Sequence, residues 1–337
     1  MKEIDTPLGK ALEPVPVEMT EGENGIWEYK VENVSPDFYT YTFTVDGLKM
    51  LDPNNLQIVR DGLDFFNLFI VPGEKSNIYL EAPEKKGMLS KVWYPSPAFG
   101  NVERRMFVYT PYGYGESNKK YPVLYLHHGG GGDENEWSMW GRICQIMDNL
   151  IAQRKAEPMI IVMPNIHSNQ LASRDVMKPV AEAKSIFDIG MDSDEFYSGG
   201  PYVKSLVEDI IPYVESHYNV IQKKSGRAIG GLSMGGVITL YATANYPDLF
   251  DYVGVFSMGF TPQRDAIADL TPVKEAGYKL YWVGCGESDM AYGNAERLLK
   301  GLNDLNMKYT YYDQLGGHIW DTWRICIREF APLLFSK

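Results

Sequence analysis

Gly231-Leu232-Ser233-Met234-Gly235-Gly236 is the stretch from which the rest of the chain is read. Upstream, Arg227-Ala228-Ile229-Gly230 is a short apolar run suited to a buried strand. Downstream, residues 237–246 have helical character that stops before Pro247. A Ser in Gly-x-Ser-x-Gly between a strand and a helix sits on a turn so tight that side chains two residues to either side would collide. The serine is held in a strained conformation with its hydroxyl exposed. In a chain with 32 glycines the bare pattern can arise by chance, so its meaning depends on what surrounds it.

The surroundings alternate strand and helix to the C-terminus. Apolar strand patterns occupy residues 105–111, 121–128, 159–164, 252–257, 279–285 and 308–312. Helical spacing runs over 134–154, 203–218, 294–305 and 319–335, with Pro212 placed to kink the second of these. This order predicts a mainly parallel sheet with helices on both faces, whose active residues collect at the carboxyl ends of the strands. In that setting the serine turn is the nucleophile elbow of an α/β-hydrolase fold. The stretch 165–198 has no clear period and is long for a connection, which fits a lid or a substrate wall.

Residues 1–85 read differently. Apolar and polar residues alternate over 25–31 and 39–45, with turn signals at Asp46-Gly47 and Asp52-Pro53-Asn54-Asn55, so a small all-β sandwich is expected. Glu81-Ala82-Pro83-Glu84-Lys85-Lys86-Gly87 is a polar linker candidate, and the second domain is expected to run from 86 to 337.

A serine nucleophile needs a base, and the base needs an acid to orient it. In this fold the chain order is Ser, acid, His. Of the five histidines only His318 follows Ser233, and it opens the final helix pattern within Gly316-Gly317-His318. Strand 279–285 ends in Gly286-Glu287-Ser288-Asp289, so Glu287 and Asp289 both qualify as the acid; the shorter side chain two residues further on favours Asp289. The oxyanion formed on attack needs two backbone N–H donors. One is assigned to Met234, directly after the nucleophile. The other is assigned to Gly130 in His128-Gly129-Gly130-Gly131-Gly132, where bare glycine backbone is uncovered. Trp137, Trp140, Met258, Met290 and Tyr292 lie near these ends and are candidate substrate contacts, the two tryptophans being equally suited to core packing.

From about Lys91 onward the chain resembles carbohydrate esterase family one, the esterase-D-like group of feruloyl and acetylxylan esterases. The matching stretches are Tyr-Pro-Val-Leu-Tyr-Leu-His-His-Gly-Gly-Gly-Gly, Ala-Ile-Gly-Gly-Leu-Ser-Met-Gly-Gly, Cys-Gly-Glu-Ser-Asp and Gly-Gly-His-Ile-Trp-Asp-Thr-Trp. The resemblance implies Ser233 as nucleophile, Asp289 as acid, His318 as base, and oxyanion donors at Met234 and the Gly129–Gly130 step. It implies feruloylated arabinoxylan as the substrate, with acetylxylan second, and export to the periplasm or medium. The N-terminal phrase Tyr-Thr-Phe-Thr-Val-Asp-Gly followed by Leu51-Asp52-Pro53 resembles the immunoglobulin-like modules related to glycogen-binding domains. Trp27 and nearby tyrosines would serve there as a sugar platform or as packing.

Bulk properties narrow the alternatives. The net charge of −12 argues against nucleic acid and anionic membrane surfaces as partners. Three cysteines form no disulfide framework and match no zinc spacing, and no metal or organic cofactor is needed for the expected chemistry. The opening Met1-Lys2-Glu3-Ile4-Asp5 lacks the apolar core of a signal peptide. Siderophore esterases and mycolyl-type acyltransferases share the expected sheet and elbow. A carbohydrate-binding protein with a decayed hydrolase domain is the non-enzymatic rival, and an intact Ser, Asp and His in order speak against it.

Overall fold

Val123-Leu124-Tyr125-Leu126-His127 shows no polar alternation, and all five residues are buried, as a strand covered on both faces requires. A computed structural model of the chain describes residues 2–6, 9–13, 15–61, 64–81, 84–167, 193–313 and 316–336. It divides into two compact units, Met1–Leu80 and Glu81–Lys337.

The second unit is built on an eight-stranded sheet. Its strands are β1 (Met88–Ser96), β2 (Val102–Thr110), β3 (Val123–His127), β4 (Ile160–Pro164), β5 (Arg227–Leu232), β6 (Tyr252–Phe256), β7 (Leu280–Gly284) and β8 (Thr310–Tyr312). Their spatial order is β1-β2-β4-β3-β5-β6-β7-β8. The β1–β2 and β2–β4 pairings are antiparallel and the remaining ones parallel. This is the α/β-hydrolase sheet expected from the sequence.

The register of the parallel strands prepares the site. His127 pairs with Gly231, Leu232 with Phe256, and Phe256 with Gly284. The carboxyl ends of β3, β5, β6 and β7 therefore form one rim, and His128, Ser233, Ser257 and the loop to Asp289 emerge from it side by side.

The helices are α1 (Glu136–Met139), α2 (Ile143–Ala152), α3 (Asp194–Ser198), α4 (Tyr202–Ser205), α5 (Ile211–His217), α6 (Met234–Asn245), α7 (Ala266–Ala276), α8 (Tyr292–Asp304) and α9 (Trp320–Phe330). Three differences from the sequence reading have physical causes. The helix expected over 134–154 is broken into α1 and α2, because Arg142 adopts a left-handed φ of 53° and Gly141 packs against Trp137. The helix expected over 203–218 changes to a π-turn at Leu206–Ile210 just before Pro212, and the loosened turn admits the proline. Helix α7 and strand β1 escaped detection. Pro272 interrupts the periodicity of α7, although Asp265 caps it by accepting from the N–H groups of Ile267 and Ala268. The stretch 165–198 falls largely on residues 168–192, outside the described residues.

The first unit is all-β. Asp37–Tyr41, Asp64–Val71 and Ile58–Asp61 make a three-stranded antiparallel sheet, and Phe43–Val45 pairs with Leu48–Met50 in a hairpin. Asp46-Gly47 turns that hairpin with φ of 50° and 81°, as the dipeptide suggested. Asn67 is fully buried and ties down the Asp52-Pro53-Asn54-Asn55 turn, accepting from Asp52 N and donating to the Asp52 and Asn55 carbonyls. The alternating stretch 25–31 contributes only the short strand Trp27–Glu28, and Trp27 is exposed. Tyr39 and Phe69 stack with ring centroids 5.5 Å apart.

Candidate active site

Strand β5 ends at Leu232 and α6 starts at Met234, which leaves Ser233 alone at the corner with φ 51° and ψ −117°. A non-glycine residue rarely adopts this backbone, and it persists because the surroundings permit nothing else. A Cβ on Gly231 would lie 2.6 Å from the Gly235 carbonyl, and one on Gly235 would lie 2.6 Å from the His128 carbonyl oxygen. The strained corner is stitched down by Ser233 N donating to Phe256 O at 2.9 Å and by Gly236 N donating to Ser233 O at 2.8 Å.

His318 reaches the serine from the start of α9. Its Nε2 lies 2.9 Å from Ser233 Oγ and its Nδ1 lies 2.8 Å from Asp289 Oδ1. The Gly317 carbonyl that precedes it accepts from Thr322 Oγ1 at 2.7 Å and from Ile319 N at 2.9 Å, which fixes the approach of the ring. Asp289 is buried, whereas Glu287 is exposed, so the structure brings Asp289 and not Glu287 to the imidazole. Burial works to raise the Asp289 pKa. The hydrogen bond and charge of His318, with help from Ser257 and the Ala291 N–H, outweigh it, and the carboxyl ends up below the ordinary aspartate value.

The glycine loop after β3 packs directly on the elbow. A Cβ on Gly129 would come within 2.6 Å of Leu232 Cδ1 and 3.4 Å of Ser233 Cβ. His128 is buried, and its Nε2 accepts from Ile166 N at 3.1 Å, so the proton sits on Nδ1 and is donated to Gly129 O at 2.8 Å. In a trans peptide the N–H opposes the C=O, so this bond turns the Gly130 N–H away from His128. Met234 N–H opens the first turn of α6, where backbone donors lie beyond the reach of the helix's own carbonyls. The loop that carries Gly130 and the start of α6 at Met234, the two assigned oxyanion donors, thus both adjoin the serine corner.

The substrate-contact candidates separate. Trp137 is 1% exposed, donates to the His127 carbonyl at 2.9 Å and packs edge-on against Phe256, so it belongs to the core behind the loop and not to a substrate surface. Trp140 is half-buried and stacks on Trp320 at 6.3 Å with an interplanar angle of 13°. Met258 is half-buried beside α6, where a Cβ on Gly236 would meet it at 2.8 Å. Tyr292 starts α8 half-buried, and Met290 is exposed.

Sequence reasoning missed Ser257, Trp320 and Trp323. Trp323 stands edge-on to the His318 ring at 5.0 Å and donates its indole N–H to Ser257 Oγ at 2.9 Å. Ser257 directly follows β6, and the rule that sites gather at strand ends could have singled it out. Among the described residues no group of three or more His, Cys, Asp or Glu is placed to hold a metal ion, and no helix is long and apolar enough to cross a membrane. Cys144, Cys285 and Cys326 are free thiols, and burial pushes Cys144 up to about 12.

The sheet order and the strained serine corner define an α/β-hydrolase. Within that class the chain belongs to the Esterase family ("Putative esterase"), whose model matches residues 96–329. It is 29% identical over 326 residues to an endo-1,4-beta-xylanase/feruloyl esterase of Xylanibacter ruminicola, covering 93% of this chain and 40% of that protein. It is 27% identical over 289 residues to endo-1,4-beta-xylanase Y of Acetivibrio thermocellus, covering 77% of this chain and 24% of that one. The chain therefore spans less than half the length of either relative. Among solved structures it is similar to a CE1 ferulic acid esterase of Anaeromyces mucronatus in complex with ferulic acid. The TM-score is 0.65 at 27% identity, with 78% of this chain and 96% of that one covered. The resemblance to carbohydrate esterase family one read from the motifs is matched by these neighbours.

Proposed function

We propose that this chain is a serine esterase that releases ferulate from feruloylated arabinoxylan through an acyl-enzyme. The observation that carries the reading is the continuous relay from Asp289 Oδ1 through His318 to Ser233 Oγ, with steps of 2.8 and 2.9 Å, beneath a nucleophile held in a strained corner. Ser233 Oγ attacks the ester carbonyl while His318 Nε2 takes its proton. The N–H groups of Met234 and Gly130 receive the oxyanion. Collapse of the tetrahedral intermediate expels the sugar hydroxyl, which His318 protonates, and leaves feruloyl-Ser233. Water, deprotonated by His318, then hydrolyses the acyl-enzyme and restores the serine. Asp289 remains ionised throughout and stabilises the imidazolium.

Ferulate is favoured over other acyl groups because relatives named for feruloyl or ferulic acid ester hydrolysis match most of this chain. The plant cell wall as substrate places the site of action outside the cytoplasm. The substrate is tested by comparing release from methyl ferulate, acetylated xylan and a catecholate ester. Preference for methyl ferulate supports the reading. Release of acetate alone overturns the feruloyl assignment in favour of acetylxylan, and cleavage of the catecholate ester alone does so in favour of a siderophore.

A further inference from the structure

Asp289 receives its donors lopsidedly. Oδ1 accepts both His318 Nδ1 and Ala291 N, each at 2.8 Å. Oδ2 is equally buried and has no completed hydrogen bond among the described residues. A buried carboxylate oxygen left without a donor is costly, and a carboxylate anchored through one oxygen can swing about its Cβ–Cγ bond.

The side chain that answers this is Ser257. It is fully buried, sits just past the end of β6 and donates its backbone N–H to Gly284 O at 2.7 Å, at the end of the strand whose continuation carries Asp289. Its φ of 49° is a left-handed value that costs a non-glycine residue energy, and glycine would fill the position more cheaply. The hydroxyl is therefore the reason for serine here. Trp323 Nε1–H already occupies a lone pair of Ser257 Oγ, so the serine's own hydrogen is left to point elsewhere. Ser257 and Asp289 leave the carboxyl ends of adjacent strands, since Phe256 pairs with Gly284, and Ser257 is among the groups that lower the Asp289 pKa.

We propose that Ser257 is a positioning residue that donates its hydroxyl hydrogen to Asp289 Oδ2, with Trp323 setting the direction of that hydroxyl. The bond closes as the Asp289–imidazolium pair forms, in the way that loose contacts of a resting site tighten during turnover. It holds Oδ1 on His318 and withdraws charge from the carboxylate. Trp323 thereby braces both partners at once, the imidazole by its ring edge and the acid through Ser257. The inference rests on the esterase reading above.

Ser257→Gly is the informative variant, because glycine accepts the φ while the hydroxymethyl group, and with it the hydroxyl, is removed. Ser257→Gly combined with Trp323→Phe removes both ends of the indole bond and leaves no buried N–H orphaned. Each is compared with the wild type for kcat, KM and the acidic limb of kcat/KM on methyl ferulate, after thermal unfolding has established that it folds. Loss of the hydroxyl leaves more charge on Asp289 to hold the imidazolium that forms during turnover, so the acidic limb of the rate profile moves to higher pH. The expected result is a roughly tenfold fall in kcat with KM nearly constant and an acidic limb displaced upward by several tenths of a pH unit. Cys285 and Cys326, the other titratable groups in electrostatic contact with Asp289, are unchanged in both variants. A limb that stays in place, whether kcat falls or holds, overturns the proposal and leaves Ser257 a packing residue. Ser233→Ala is run alongside. If it retains full activity the esterase reading itself fails, and if it is inactive the Ser257 result stands on its own.

Discussion

Gly235 lies so close beneath Gly231 that a methyl group on Gly231 would come within 2.6 Å of the Gly235 backbone carbonyl. No flexible side chain is available there to yield, so the elbow itself must move. Gly231→Ala is expected to displace Ser233 Oγ from His318 and lower kcat on methyl ferulate by about 100-fold, since misplacing a reacting group by an ångström costs on that order. The same overpacking should lower stability by roughly 1–3 kcal/mol, measurable as a fall in melting temperature.

The acid can be told from its neighbour by a pair of substitutions. Asp289→Asn keeps the shape of the side chain but presents His318 with the wrong hydrogen-bonding partner, and kcat is expected to drop by about 10⁴-fold. Glu287→Gln changes an exposed side chain and should leave kcat unaltered. Steady-state kinetics of the two variants side by side settle the assignment; equal losses would contradict it.

His128 is expected to act through the Gly129 carbonyl it holds. His128→Phe removes the Nδ1–H donor and frees the Gly129–Gly130 peptide to rotate. We expect kcat to fall by about 10- to 100-fold with a small change in KM. Binding of a boronic acid transition-state analogue should weaken by a similar factor, because the analogue uses the same N–H groups. Unchanged analogue affinity would separate His128 from the oxyanion site.

Acid should destabilise the protein through two histidines kept neutral in its interior. Burial pushes His127 down to about 3, against a smaller upward pull from the Gly230 backbone. Burial, with the neighbouring His128 and Arg104, pushes His167 down to about 3 as well. Both pKa values are depressed on folding, so stability is full above the ordinary histidine value of 6.5 and is lost as pH falls from there towards 3. In that window the unfolded chain binds protons the native state refuses. Each histidine then contributes a slope of about 1.4 kcal/mol per pH unit. Urea unfolding between pH 7 and pH 4.5 should show this slope. His127→Leu should reduce it by one proton's worth, and an unchanged slope would count against a neutral buried His127.

The parts of the fold legible in the sequence were those with a short-range signature. Buried strands such as Ile160–Pro164 read as uninterrupted apolar runs, and the glycines around Ser233 record a backbone collision. Chain order singled out His318 as the candidate base, because no other histidine follows Ser233. Two carboxylates qualified as the partner of His318, and Asp289 was favoured by side-chain length and by the family resemblance; one lies inside and one outside on the same loop, and burial has no local signature there. Trp137 stood undecided between substrate contact and core packing for the same reason: its indole serves a carbonyl ten residues away. Ser257 and Trp323 lie 66 positions apart and meet only once the sheet has closed. Long-range contacts between single polar groups leave no periodicity to read.

Every step proposed for this site begins with Ser233 as the nucleophile. The most direct measurement is labelling of the folded protein with a fluorophosphonate, followed by peptide mass spectrometry and a parallel assay of methyl ferulate hydrolysis. One adduct is expected, on Ser233, with activity lost in proportion to its formation and with no labelling of Ser233→Ala. An adduct on another residue, or full activity in Ser233→Ala, would contradict it.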